Sequence, residues 1–196
     1  MDLVDRIETT RFLGGEFALW LWFSRDVLDG VLELPGRGGI EVALESALLL
    51  VDPLADKERV AIRGFDPLGS REAEQALLCG KLPRKVGLRL VFEQSEWVAV
   101  LDAASLGLSG VKLPALLSEG EEEHFHERMR LLEQLHDLVQ GLYRHFLGVR
   151  LSALWQDELL PAMRRWLHGE VMESAAYAAL HAAPSASKRR RKPQLG

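Results

Sequence analysis

Glu123 and His126, and ten residues later Glu133 and His136, repeat the Glu-x-x-His spacing that sets a carboxylate and an imidazole on one helical face. In di-iron carboxylate proteins such pairs sit on separate helices, with further glutamates from two more. Here both fall within one helical stretch, and no other helix offers a matching acid and histidine. His124 and His126, two residues apart, diverge on a helix and cannot chelate together. A solvated helix face is the expected role, and no metal or other cofactor is expected.

Other catalytic patterns fare no better. "GLSG" at residues 107–110 is one residue short of a nucleophile elbow. Gly80-Lys81 is followed by Leu82, where a phosphate-binding loop needs serine or threonine. "PGRGG" reads as a turn between strands, and no Asp-x-Lys or Glu-x-Lys string marks a metal-dependent nuclease. The single cysteine, Cys79, would be reactive only beside a basic group, and alone it forms no intramolecular disulfide. The chain is expected not to be an enzyme, and no small-molecule substrate is evident.

Cations suggest binding instead. Lys81, Arg84 and Lys85 cluster in "GKLPRKVGLRL", with Arg89 further along, and Lys188, Arg189, Arg190, Arg191 and Lys192 form a basic tail. Clustered cations suit phosphates, because each neutralised phosphate releases counterions. The formal charge is nevertheless −5 with that tail included, so the body is acidic and repels polyanions at long range. Any nucleic-acid contact is therefore expected from these local groups alone.

The elements that must position these residues follow from periodicity. A composition 47% hydrophobic and 27% charged suits one soluble domain. From about Thr10 to Gly30 the pattern is helical, with Thr9 or Thr10 as N-cap. Phe12, Phe17, Trp20, Trp22 and Phe23 leave this helix apolar around its circumference, yet Phe17 to Phe23 is far shorter than the roughly 20 residues of a membrane span. Such a helix is expected to be enclosed by protein. Gly14 and Gly15 lower its propensity, which suggests a neighbouring element packed closely over them.

Two strands joined through Pro35–Gly39, a third in "ERVAIRGF" and a hairpin in "RKVGLRLVFEQSEWVAVLDA" give about five strands, mostly antiparallel. Between them Ser70 caps a short helix that stops at Gly80, and "SLGLSGVKLP" reads as an irregular connector. A Ser118/Glu121 capping box opens a long helix, whose stripe is read as Phe125, Met129, Leu132, Leu135, Val139, Leu142 and Phe146. Ser152 is placed to cap another helix, which Pro161 should bend or interrupt. The fold class is α+β: one domain over residues 1–168, with a helical carboxyl half, then a weakly helical and disordered tail over 169–196. "MDLVDRIETT" lacks the basic start and apolar run of an export signal, so a cytoplasmic location is expected.

"TTRFLGGEFALWLWFSRD", "CGKLPRKVGLRL", "LSGVKLP" before an acidic helix start, and "MRRWL" together resemble the bacterial recombination-associated RdgC family, over roughly residues 8–168. The resemblance implies a non-enzymatic protein of the cytoplasm and nucleoid that binds double-stranded DNA without sequence preference, forms a homodimer and restrains the recombinase RecA. A protein-interaction module or homodimer without nucleic-acid binding is the competing expectation. In that case the aromatic helix or the long helix would supply the interface.

Overall fold

A computed structural model describes residues 3–52, 58–64 and 69–169, with the backbone alone for 3–12, 45 and 46. The architecture is α+β: an antiparallel sheet with helices packed over one face. The expected helical stretch beyond Gly169 and the basic tail lie outside the described residues, as does the side chain of Phe12.

Helix α1 (Leu3–Val27) begins earlier than the sequence pattern suggests, so Thr9 and Thr10 are interior positions and not caps. Its end is as expected. Gly30 adopts a φ of 81° and its N–H donates to the Arg25 carbonyl. This is the left-handed stop that glycine allows most cheaply. Phe17, Trp20 and Phe23 are wholly buried and Trp22 nearly so, together with Ala18 and Leu21. From Leu13 onward the helix is enclosed around most of its circumference, as its composition requires.

Beneath it lie strands β1 (Val31–Leu34), β2 (Gly38–Val51), β3 (Arg59–Gly64), β4 (Leu82–Phe92), β5 (Ser95–Asp102) and β6 (Gly107–Lys112). Long β2 holds β4 along one edge and pairs with β1 and β3 through different residues, Gly38–Glu41 and Ser46–Val51 respectively. The sheet continues through β5 to β6. Alternation sends Ile40, Val42, Leu44, Leu48, Leu50, Val86, Leu88, Leu90, Trp97 and Leu101 inward beneath α1. Strand β6 is a correction, since its residues were expected to form an irregular connector. Gly107 and Gly110 hide its period, and a register shift between Val98 and Val100 marks the irregular pairing.

The β4–β5 hairpin turns on Glu93 and Gln94, with φ of 48° and 71°. Positive φ at both central residues is what a two-residue hairpin loop with the sheet's own twist demands. Ser70 caps α2 (Arg71–Leu78) as expected, its hydroxyl accepting from the Ala73 N–H at 3.1 Å.

The expected close approach over the α1 glycines is present. A Cβ on Gly14 would lie 1.6 Å from the Ala103 carbonyl oxygen, and one on Gly15 would meet Leu82 at 3.2 Å. Glu16, next to these glycines, also has a role. Glu16 Oε2 accepts from Arg150 Nε at 2.7 Å, tying α1 to the end of α3 (Glu121–Arg150). The same guanidinium lies 5.0 Å from the ring centre of Trp155.

Two readings of α3 need correction. Its N-cap is Gly120, and Ser118 instead donates its hydroxyl to Glu127 Oε2 at 2.6 Å, so the Ser118/Glu121 capping box does not form. The buried stripe runs Leu131, Leu135, Leu138, Val139, Leu142, His145, Phe146 and Val149. Phe125, Met129 and Leu132, expected to begin it, are exposed. Trp97 fixes the phase by donating its indole N–H to the Leu131 carbonyl at 3.2 Å, which turns Leu131 toward the sheet.

After α3 a π-helical turn (Trp155–Leu159) leads into α4 (Leu160–Leu167), with Pro161 at its first turn. Ser152 does not act as the expected side-chain cap; its hydroxyl donates to the Val149 carbonyl. A widened turn just before proline accommodates the ring and the missing amide hydrogen, the interruption that Pro161 foretells.

Candidate functional site

The described helices cover one face of the sheet, and among the described residues no helix covers the other. Strand alternation places Glu41 and Ala43 of β2, Arg59 and Arg63 of β3, Lys85 and Arg89 of β4, Glu96, Val98, Val100 and Asp102 of β5, and Lys112 of β6 on that open face. Across it, Ala43, Arg89, Val98 and Lys112 stand in one row. Neighbouring strands lie roughly 4.8 Å apart, so the row is a fixed lattice of side chains rather than a mobile loop.

Of the cations singled out from the sequence, Lys85 and Arg89 belong to this face and Arg84 sits at its margin, where β4 departs from regular register with β2. Each has a carboxylate. Arg84 Nε lies 3.5 Å and Lys85 Nζ 4.0 Å from the two oxygens of Asp102. Arg89 reaches Glu41 at 3.4 Å and Glu96 at 3.6 Å, bridging strands on both sides of its own. Lys81 lies apart. Its ammonium donates to Glu58 Oε2 at 2.7 Å with the side chain only 12% exposed, and that hydrogen bond raises its pKa above the ordinary lysine value. Lys188, Arg189, Arg190, Arg191 and Lys192 lie outside the described residues.

Sequence reasoning missed Arg59, Arg63 and Lys112 as members of this face. Arg59 and Arg63 are visible as solvent-side residues of an alternating strand, but their approach to Lys85 and Arg89 depends on β3 and β4 both pairing with β2. Lys112 is hidden because the glycines of β6 suggest a connector. Arg63 and Lys112 form no ion pair among the described residues.

The candidate metal ligands do not assemble. His124 Nε2 lies 2.6 Å from the Ser118 carbonyl, His126 packs its ring edge to face with Phe125, and His136 is exposed on α3. Among the described residues no group of three histidine, cysteine or acidic side chains is arranged to hold a metal ion. Cys79 is exposed at the end of α2.

Glu127 takes a different part. Its carboxylate accepts from the Ser118 hydroxyl and from the backbone N–H groups of Ser118 and Leu117, and these hydrogen bonds lower its pKa to about 2. The connector into α3 is thereby tied to that helix. Close by, Leu117 is 87% and Phe125 61% exposed, and Met129 and Leu132 extend this apolar strip along α3.

Among the described residues no helix is long and apolar enough to cross a membrane. Comparison with protein-family models, with curated proteins and with solved structures finds no match.

Proposed function

We propose that this chain is a non-enzymatic, cytoplasmic protein that associates with duplex DNA without sequence preference and serves recombination. The reading draws on the resemblance of residues 8–168 to the RdgC family. The structural observation that supports it is the open sheet face bearing Arg59, Arg63, Lys85, Arg89 and Lys112. The carboxylates beside these cations do not forbid phosphate binding. Exposed ion pairs contribute only about 0 to 1 kcal/mol, so exchanging Asp102, Glu41 or Glu96 for a phosphate costs little beside the counterions that the duplex releases.

Titration of a labelled duplex across a salt series tests this. Binding should weaken steeply with salt, and replacing Arg63, Arg89 and Lys112 together by alanine should lower the logarithmic slope by about one for each phosphate that is no longer neutralised. Absence of binding at low ionic strength, or a slope indifferent to the triple substitution, refutes the sheet face as the interface.

The exposed strip on α3 favours a second reading, a homodimer. Phe125, Met129 and Leu132 are spaced by four and three, the seam spacing into which another copy of the same helix fits. Light scattering after size-exclusion chromatography should then give twice the chain mass, and Met129→Glu should return it to monomer. A strict monomer at high concentration excludes this form.

A further inference from the structure

Where α1, α2 and α4 meet, a cleft of about 180 Å³ is lined by Trp22, Asp26, Glu74, Leu77, Trp166 and Leu167, with Gly69 and Ser70 at its rim. Nothing in the DNA or dimer readings uses it. Its chemistry is distinctive: two indoles and two carboxylates, brought from three helices, border one concavity.

The aromatic rings pack edge to face. Trp22 and Trp166 meet at 79° with ring centres 5.7 Å apart, and Phe23 lies at 75° to Trp166 at the same separation. The Trp166 indole N–H donates to Asp26 Oδ2 at 3.2 Å, while the other oxygen of Asp26 takes Arg25 at 2.8 Å. Glu74, on the α2 side, makes no ion pair among the described residues.

The charges and dipoles around the cleft mostly favour a positive guest. Asp26 lies in the last turn of α1, and Trp166 and Leu167 close α4, so two helix C-termini bring their partial negative charge to the site. The N-terminus of α2 opposes them. Its Ser70 hydroxyl is already engaged with Ala73, and Glu72 and Glu74 in its first turn offset its partial positive charge. Trp22 is buried, so the half-buried Trp166 ring supplies what aromatic attraction for a cation the cleft has. An anion would meet the carboxylate of Glu74, although Arg25 is paired with Asp26 and Arg164 and Arg165 stand in the last turn of α4. A neutral guest would gain nothing from Glu74, which is exposed to water.

We propose that this cleft binds an organic cation, an alkylammonium or guanidinium group. A cleft of about 180 Å³ has room for a cationic head and a short aliphatic stem. Such a group arrives either as a free amine or as a lysine or arginine side chain of a protein, and the two sources share the same recognition.

The test uses the full chain and follows the Trp166 indole N–H resonance, assigned by its loss in Trp166→Phe. Choline, butylammonium and Nα-acetyl-lysine amide are titrated, with 3,3-dimethylbutanol as the uncharged counterpart of choline. Saturable shifts with the cations are expected, with the alcohol about tenfold weaker or worse. Glu74→Gln, an exposed change that leaves the fold intact, should weaken the cations severalfold and leave the alcohol unaffected. Comparable binding of butylammonium and the lysine derivative supports free amines as the source, and tighter binding of the derivative supports a protein side chain. No saturable shift, equal affinity for choline and the alcohol, or indifference to Glu74→Gln would overturn the proposal.

Discussion

Gly14→Ala should destabilise the protein although it improves the intrinsic helix propensity of α1. Alanine in place of an interior glycine favours a helix by about 1 kcal/mol. The added methyl, however, would sit 1.6 Å from the Ala103 carbonyl oxygen, against 3.4 Å or more for ordinary contact. Relief therefore requires a displacement of roughly 2 Å between α1 and the corner after β5, in a core packed as densely as an organic crystal. That corner is not free to yield. The Ala103 N–H donates to the Arg84 carbonyl at 2.8 Å, and Asp102 Oδ1 accepts the Ala104 N–H at 3.0 Å.

Overpacking by one methyl group costs about 1 to 3 kcal/mol where side chains can adjust, and here the obstruction is backbone. A net loss of about 2 kcal/mol or more is expected after the propensity gain. Gly141→Ala provides the control. Its methyl would meet only the Cδ1 of Leu34 at 3.1 Å, the movable end of a flexible side chain, so strain and propensity nearly cancel. Urea unfolding of both variants measures the contrast. Gly14→Ala equal to or more stable than the parent would refute the close approach of α1 to Ala103, and with it the packing of this helix on the sheet.

Trp20→Ala should cost roughly 3 to 5 kcal/mol in the same assay, since its wholly buried indole packs against Phe17, His145 and Phe146; an unmoved midpoint would contradict its burial. Ser24→Ala should be neutral or stabilising by about 1 kcal/mol, because the buried Ser24 hydroxyl has no hydrogen-bond partner among the described residues and its desolvation goes uncompensated; a clear loss of stability would reveal a partner. Glu127 should make the connector into α3 sensitive to acid. Its lowered pKa means that the stabilisation is present above the unfolded carboxyl value near 4.3 and disappears as pH falls through about 2. Hydrogen exchange at the Leu117 and Ser118 amides, normalised for intrinsic rate, should lose protection across that interval, and Glu127→Gln should already be unprotected at neutral pH. Protection independent of both changes would refute the anchor.

Local signals carried far in the sequence. Gly30, the Ser70 cap, the β4–β5 hairpin and the Pro161 interruption each announce themselves through a residue whose conformational preference decides the outcome. Phase along α3 was not legible in this way. Phe125, Met129 and Leu132 lie on a stripe continuous with Leu135, Val139 and Leu142, while Leu131, Leu138 and Val149 define an adjacent one. Periodicity alone cannot choose between them. The choice is tertiary: the Leu131 carbonyl meets the indole of Trp97 on β5, and the residues before it extend along a strip left open to solvent.

The same distinction separates a cationic sequence cluster from a cationic surface. Lys81, Arg84, Lys85 and Arg89 are near neighbours in the chain, but Lys81 goes to Glu58 and the others meet carboxylates from β2 and β5. Arg89 and Glu41 are 48 residues apart, so their pairing depends on strand register and no local pattern contains it. Register likewise brings Arg63, from β3 paired to β2, and Lys112, from β6 at the far end of the strand order, onto the face where Arg89 stands. A reading by linear charge clusters therefore selects Lys81, whose ammonium is largely covered, and passes over two cations with no carboxylate partner among the described residues. On this sheet the groups best able to meet a polyanion are those that topology assembles, and their collective removal is a sharper probe of DNA binding than removal of the sequence cluster.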